Sequence, residues 1–563
     1  MITFLNWISF VGLIILLLLA WNTGPFAAQF NEIDSLFPLS PYEALDESTL
    51  SPVILSDSAY NSTTHAGRTY RVIRVRYFSH MWKDGPWYGS MSIVIPDTIV
   101  NAKQGFLAMA PGGSISIQDS MNFESEYGEY NALEYGIPVA SIPDQGTHFG
   151  LSDIHAISDS IHAIGFETSD FSWLAIYPSI ALKSRGITMV SCLLGFPVHS
   201  AVHLGSSITA NHAWRWPIFD GRIKGLAATG DIGHYRDWIP LNCDSTLPTR
   251  VVHYSCLDSF NRAKVDTLTD PFIFGKDLKV PILQIAGTND FASPPYHIPG
   301  FLTGLAGPVH LVNAANYPHG CASWTHVESF RMWIDHVFFN RPLTRISIGE
   351  VAKTSDRLNV TAYINTDTSV QIQDVQLNYT AYSDTNYFKS VLLPGMPDSN
   401  YMNAVWVSTP MTLNGGGWQA GIALKALTET NLAYFASVKD RYNNRIGHAS
   451  TSINYGLISG IGTESGPGRK EQTGFTIHCA PNPFNPLATI TVDIHSPAAH
   501  SLSIFNSRGM LIRTWFIAST AKGSYKITWD GRNCNGNAVA GGLYLIRLIA
   551  GDKVYSRKAV LLR

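Results

Sequence analysis

Ala201-Val202-His203-Leu204-Gly205-Ser206-Ser207-Ile208-Thr209-Ala210 is the stretch from which the fold is read. A short apolar run of strand type meets a glycine and two serines, then a helix-compatible run through Trp214. A strand that turns sharply into a helix exposes the residue at the turn. A serine there presents its Oγ, and the next backbone N–H points at any oxygen bound beside it. Ser207 takes that position. Gly205 supplies the glycine two residues before it, whereas the glycine expected two residues after is Thr209. An ordinary helix N-cap serine is the bland alternative, so the choice between them rests on partner residues further along the chain.

A nucleophilic serine on such a turn needs an acid and then a base, in the chain order Ser, Asp, His. Val280-Pro281-Ile282-Leu283-Gln284-Ile285-Ala286 has the pattern of a buried strand and runs into Gly287-Thr288-Asn289-Asp290. Asp290 thus falls on a post-strand loop. Twenty-nine residues later, after the strand Val309-His310-Leu311-Val312, comes Asn316-Tyr317-Pro318-His319-Gly320. Ser207 is read as the nucleophile, His319 as the general base and acid, and Asp290 as the group that orients the imidazole. Two backbone donors are expected at the oxyanion: the N–H of Ile208, and one from Gly112 or Gly113 in the loop after Phe106 to Ala110. His326 is a second candidate base, and Asp231, after the strand ending near Ala228, a second candidate acid. Trp214, Trp216 and Trp238 could line an acyl pocket or lie in the core.

Short apolar strands (Gly105 to Ala110, Ile137 to Ile142, Ala201 to Leu204, Ile223 to Ala228, Val280 to Ala286) alternate with helical stretches over residues 65–342. Thr69 to Tyr77 and Gly89 to Ile95 read as an antiparallel hairpin feeding that sheet. The pattern predicts the α/β class: a mostly parallel sheet with helices on both faces, of α/β-hydrolase type. After Pro342 period-two strands take over, and residues 345–457 are expected to form an immunoglobulin-like β-sandwich. Residues 458–474 read as a flexible linker, and residues 475–563 as a second small sandwich.

Two resemblances sharpen this reading. The segment from Gly205, GSSITANHAWRWPIFDGRIKG, is similar to the elbow of the PhoPQ-activated pathogenicity-related protein family, with matching positions at Gly205, Ser206, Ser207, Trp214, Asp220 and Arg222. The likeness extends upstream to Ser79-His80-Met81-Trp82 and downstream through Asp270-Pro271, Asp290-Phe291 and the loop from Asn316 to His319. It implies an α/β-hydrolase with a Ser-Asp-His triad, and in that family too the second elbow glycine is missing. This chain departs from the family at Ile208-Thr209, where a basic pair is usual, and at Ala210, where a glycine is usual. The tail, with Pro481-Asn482-Pro483-Phe484-Asn485-Pro486, SRG at Ser507 to Gly509 and TWDGRNCNGNAVAGGLYLIRL, resembles type IX secretion sorting domains and flagellar hook-cap immunoglobulin-like domains. That implies a role in export or in attachment to the cell surface.

The chain has 563 residues, 14 % of them charged, and a formal net charge of -3 without a basic run, which argues against nucleic acid as a partner. Phe4 to Trp21 is almost uninterrupted apolar sequence ahead of Ala27 and Ala28. Residues 1–28 therefore read as a secretory signal peptide or an uncleaved anchor, either of which places the body of the protein outside the cytoplasm. None of the cysteines at 192, 243, 256, 321, 479 and 534 forms a CxxC pair, so zinc knuckles are excluded by spacing. Cys243 with Cys256, or Cys479 with Cys534, could pair, and free buried thiols are the alternative. His148, His155 and His162 recur every seven residues but lack metal-ligand spacing. No cofactor or metal is expected. The whole predicts an exported or surface-attached serine hydrolase acting on an ester or amide, small or polymeric; a serine peptidase of the same fold and a catalytically silent adhesion protein are the alternatives.

Overall fold

The computed structural model describes residues 36–100, 102–110, 127–142, 169–174, 176–233, 257–290, 293–319, 323–382, 403–427, 429, 431–457, 475–494, 498–506, 511–519, 523–533, 538–550 and 553–562. The signal segment, the linker at 458–474, Gly112, Gly113, Trp238, His148, His155, His162 and Cys243, Cys256, Cys321 and Cys534 lie outside them. The chain divides into two compact units, Met1–Thr463 and Glu464–Arg563.

The first unit is built on nine strands: β1 (Val53–Asn61), β2 (Thr69–Trp82), β3 (Gly85–Pro96), β4 (Phe106–Ala110), β5 (Val139–Ser141), β6 (Ser200–Ser206), β7 (Ile223–Thr229), β8 (Ile282–Gly287) and β9 (Val309–Ala314). They lie in the order β1-β2-β3-β5-β4-β6-β7-β8-β9. From β5 onward every pairing is parallel, and β1, β2 and β3 join as an antiparallel edge. Successive residues of the inner strands face opposite layers. Leu107 and Met109 pack with Ile180, Ile187 and Met189 of α2 (Ile176–Leu194; α1 is Glu129–Tyr135), whereas Ala108 and Ala110 pack with Tyr135 of α1 and with Phe330 and Trp333 of the last helix, Trp324–Phe339. Helices cover both faces, as the alternation of strands and helices requires. This strand order, with the serine turn after the central strand β6, is the α/β-hydrolase fold.

The fold begins earlier than residue 65. β1 pairs with β2 from Asn61 against Thr69 to Val53 against Arg76, and a helix over Pro41–Leu45 is closed by a capping box between Ser40 and Glu43. As an edge strand, β1 is exposed at eight of its nine positions, so it carries no period-two signal. The N-terminal segment is held by buried Arg185 of α2, which donates to the carbonyls of Glu43, Asp46 and Ser79 at 2.7, 2.5 and 3.0 Å.

The sandwich after Pro342 opens with the strand Arg345–Lys353. One sheet pairs Arg345–Lys353, Arg357–Asn365, Gly417–Ala423 and Thr412–Asn414; the other pairs Val407–Pro410, Gln371–Tyr382, Asn431–Tyr442 and Arg445–Ser450, with Asn454–Leu457 on the Asn431–Tyr442 strand. The two sheets close on Leu358, Val360, Leu377, Ile422, Leu432 and Val438. This sandwich is part of the first unit and is joined to the hydrolase layers by charge. Buried Arg341 bonds buried Asp440 at 2.5 Å, Arg445 bridges Asp335 and Glu134 at 2.5 and 2.9 Å, and His448 meets Glu328 at 2.7 Å. His310 and Asn313 of β9 bond the carbonyls of His448 and Thr451 at 2.7 and 2.8 Å.

The second unit is a sandwich of three strands against four. Its core holds Phe484, Ile490, Val492, Leu502, Ile504, Trp529, Tyr544 and Ile546. The Pro-Asn-Pro-Phe motif closes it: Phe484 pairs through its backbone with Val560 and Leu562 at 2.9 and 2.8 Å, and its ring packs on Trp529 at 5.2 Å. Cys479 is a buried free thiol, the second of the two readings open for it.

Removing one member of a buried ion pair leaves the other charged and unpaired, a loss of about 3–5 kcal/mol. Arg341→Leu is therefore expected to lower the urea-unfolding free energy of the first unit by that order; a change under about 1 kcal/mol would show that the pair is dispensable.

Candidate active site

The turn after β6 is where the backbone is forced. Ser207 has φ 54° and ψ −124°, a conformation that costs a non-glycine residue of order 1–3 kcal/mol. Several bonds hold it there. Its N–H donates to the carbonyl of Thr229 at the end of β7 (2.8 Å), and its own carbonyl accepts from Ala210 and Asn211 at 3.0 and 3.1 Å as helix α3 (Ile208–Ala213) begins. Thr209, at the place of the absent glycine, acts as a staple: its Oγ1 accepts from the N–H of Ser206 at 2.7 Å and donates to that residue's carbonyl at 2.8 Å. Gly205 is required by space. A Cβ there would sit 2.7 Å from the Cα of Ala210, so the helix could not fold back against the strand.

The residues expected as acid and base, Asp290 and His319, follow the ends of β8 and β9. Gly287 allows the two loops to meet, since a Cβ on it would stand 2.4 and 2.6 Å from the carbonyl oxygens of Tyr317 and Pro318. Backbone bonds stitch the loops: Thr288 N–H to Ala314 O and Asn289 N–H to Tyr317 O, both 3.0 Å. The result brings all three sequence-predicted residues together. The imidazole Nε2 of His319 lies 2.7 Å from Ser207 Oγ, and its Nδ1 lies 2.8 Å from Asp290 Oδ1. Asp290 is 1 % exposed, and the same Oδ1 accepts the N–H of Ser293 at 3.1 Å.

Burial pulls the His319 pKa down, but the hydrogen bond to Asp290 and the charge of Asp290 outweigh it, and the net shift is upward from 6.5. The protonated ring that forms when a serine proton is taken is thus favoured here.

The other candidates fall elsewhere. His326 sits inside its helix with Nδ1 2.8 Å from the hydroxyl of Tyr127, and burial lowers its pKa to about 4, so it is not the base at this serine. Asp231 accepts from the indole N–H of Trp214 at 3.0 Å, whereas Asp290 takes the histidine. Burial raises Asp231 to about 8 against the lowering effect of Asn211, Arg215 and Trp214, so it is mostly neutral at pH 7. Trp214 and Trp216 are fully buried core residues, not lining of an open pocket. Asp220 and Arg222 form a bidentate pair (2.9 and 2.7 Å), with Arg222 also reaching Thr188 and Ser184 of α2, so that motif is architectural. Ile208 is the first residue of α3, where a backbone N–H has no acceptor within its own helix. Two residues of the site were missed in the sequence. Asn289 and Asn316 flank Asp290 and His319, and both side chains bond backbone groups of the sandwich. Their partners lie 115 and 90 residues away in the chain, and no local pattern marks them.

Residues 485–553 match the FlgD Ig-like domain family. No curated protein matched the chain in sequence. Among solved structures, the chain is similar to an acetyl xylan esterase from Paenibacillus sp. R4 (14 % identity, 55 % of this chain and 93 % of that one, TM-score 0.39). It is also similar to a glucuronoyl esterase from Solibacter usitatus (11 %, 53 % and 90 %, TM-score 0.36) and an S-formylglutathione hydrolase from Agrobacterium tumefaciens (14 %, 51 % and 97 %, TM-score 0.34). At TM-scores this low the likenesses carry no argument; the strand order and the site's geometry do.

A base that must be neutral to accept the serine proton loses function as pH falls through its pKa. Reaction of Ser207 with a fluorophosphonate is therefore expected to decline on the acid side with a midpoint above 6.5, the direction in which His319 is shifted. Asp290→Asn should lower that midpoint and slow the reaction roughly 10³- to 10⁴-fold. A wild-type midpoint below 6.5 would contradict the His319 to Asp290 bond.

Proposed function

We propose that this protein is an exported serine hydrolase that cleaves an ester through an acyl-enzyme. The observation that carries the reading is the unbroken chain Ser207 Oγ, His319 Nε2, His319 Nδ1, Asp290 Oδ1 at 2.7 and 2.8 Å, with its serine on a turn of positive φ. In this reading Ser207 attacks the acyl carbon while His319 takes its proton. The tetrahedral oxyanion is held by the N–H of Ile208 and by a donor of the Gly112-Gly113 loop. His319 returns the proton to the departing alcohol, the C–O bond breaks, and a water activated by the same histidine releases the acid and restores Ser207. Asp290 keeps the imidazole in the tautomer with Nδ1–H toward the carboxylate throughout.

Esters are favoured over amides because an alcohol leaves with less protonation assistance than an amine. The elbow residues support membership of the PhoPQ-activated pathogenicity-related family. Its basic pair is replaced by Ile208 and Thr209, so a substrate bound through positive charge at that point does not fit this chain. The apolar segment at residues 1–28 and the tail sandwich support delivery outside the cytoplasm, secreted or held at the cell surface by export machinery that reads the tail.

Fluorophosphonate labelling tests the reading. Wild type should label, Ser207→Ala should not, and hydrolysis of p-nitrophenyl acetate should fall at least about 10³-fold in that variant. A folded wild type that neither labels nor hydrolyses the ester at pH 8 is a binding protein, not this enzyme. Cleavage of peptide substrates in preference to esters would make it a peptidase.

A further inference from the structure

The acid and base loops are tied to the following sandwich by side chains that the triad does not use. Asn316 has φ 64°, three residues before His319, and its amide makes a reciprocal pair with one backbone unit of the sandwich. Nδ2 donates to the carbonyl of Trp406 at 2.8 Å, and Oδ1 accepts the N–H of Trp406 at 2.7 Å. Asn289, the residue before Asp290, donates from Nδ2 to the carbonyl of Ala404 at 2.8 Å. Thr288 joins the two asparagines, because its Oγ1 accepts the N–H of Asn316 at 2.9 Å and donates to Asn289 Oδ1 at 2.7 Å. The sandwich side is buried and packed where it is gripped: Ala404 and Trp406 are 7 % and 3 % exposed, and the Trp406 ring packs on Phe435 at 5.4 Å. Tyr296 and Ala315 of the hydrolase layers pack against the same apolar cluster, and Tyr296 meets Tyr455 at 5.1 Å.

We propose that Asn289 and Asn316 are positioning residues through which the segment Ala404 to Trp406 of the sandwich holds Asp290 and His319 in the geometry that Ser207 requires. The sandwich is then a working part of the hydrolase. Each asparagine fixes its loop to a body outside the parallel sheet, within one residue of the acid and three of the base. A loop anchored only at its strand can shift its tip by an ångström, a displacement worth about 10²-fold in rate. The inference rests on reading Ser207 as the nucleophile.

The test uses the full chain with p-nitrophenyl acetate as substrate. Asn316→Gly deletes both side-chain bonds while glycine still suits the positive φ, and because Asn316 is exposed the change opens no cavity. Asn289→Ala removes the other anchor from a different loop. With melting temperatures near wild type, each is expected to lower kcat about tenfold or more at a KM within about twofold. Each should also move the acid limb of the pH-rate profile to lower pH, because a loosened bond to Asp290 no longer raises the His319 pKa. A purely structural role would leave that limb in place. An active wild type with both variants unchanged in kcat and acid limb overturns the inference while the hydrolase reading stands. Loss of kcat with an unmoved acid limb, or loss of the fold in both variants, also overturns it. A wild type that neither labels with fluorophosphonate nor turns over the ester removes the hydrolase reading and this inference with it.

Discussion

The bond between His319 and Asp290 depends on two chain segments, leaving neighbouring strands, passing within one atom's width of each other. Gly287 sets that limit, because any side chain there would collide with the carbonyls of Tyr317 and Pro318. A similar limit operates at the turn after β6, where Gly205 lies against the backbone of Ala210. Parallel strands that end level with one another supply the scaffold, and these two glycines allow the loops and the helix to close on it. The strained backbone of Ser207 persists because bonds from β7 and from α3 over-determine it.

The sandwich after Pro342 belongs to this arrangement. The ion pairs at Arg341 and Arg445 join it to the last helix of the hydrolase layers, and the β9 contacts at His310 and Asn313 join it to the sheet next to the base loop. A buried ion pair is weak support for stability, yet it is demanding in geometry and so fixes how two layers meet. Those bonds place the sandwich against the ends of β8 and β9, where Asn289 and Asn316 take hold.

Much of the candidate site was legible because the residue types it brings together are ordered along the chain. Ser207, Asp290 and His319 each follow an apolar strand in the sequence that an α/β-hydrolase requires, and Thr209 departed from the pattern only by substituting a side-chain staple for a glycine. Strand β1 was not legible, since an exposed edge has no apolar face to repeat. Helix α2 carries no clear stripe because sixteen of its nineteen residues are buried, Lys183 and Arg185 included. The coupling to the sandwich was hidden for a different reason. No local pattern marks Arg341, Asp440, Arg445 or His448 as partners, and the bonds of Asn289 and Asn316 go to backbone groups, which leave no trace in residue type.

In the proposed reaction Ser207 carries the acyl group during turnover. Rapid acid quench of wild type mixed with excess p-nitrophenyl acetate, followed by peptide mass mapping, tests it at the atom concerned. The expected result is an acetyl group on Ser207 that accumulates before steady state and fails to form in His319→Ala. Turnover with the acetyl group on another residue, or with none on Ser207 at any time, would contradict it.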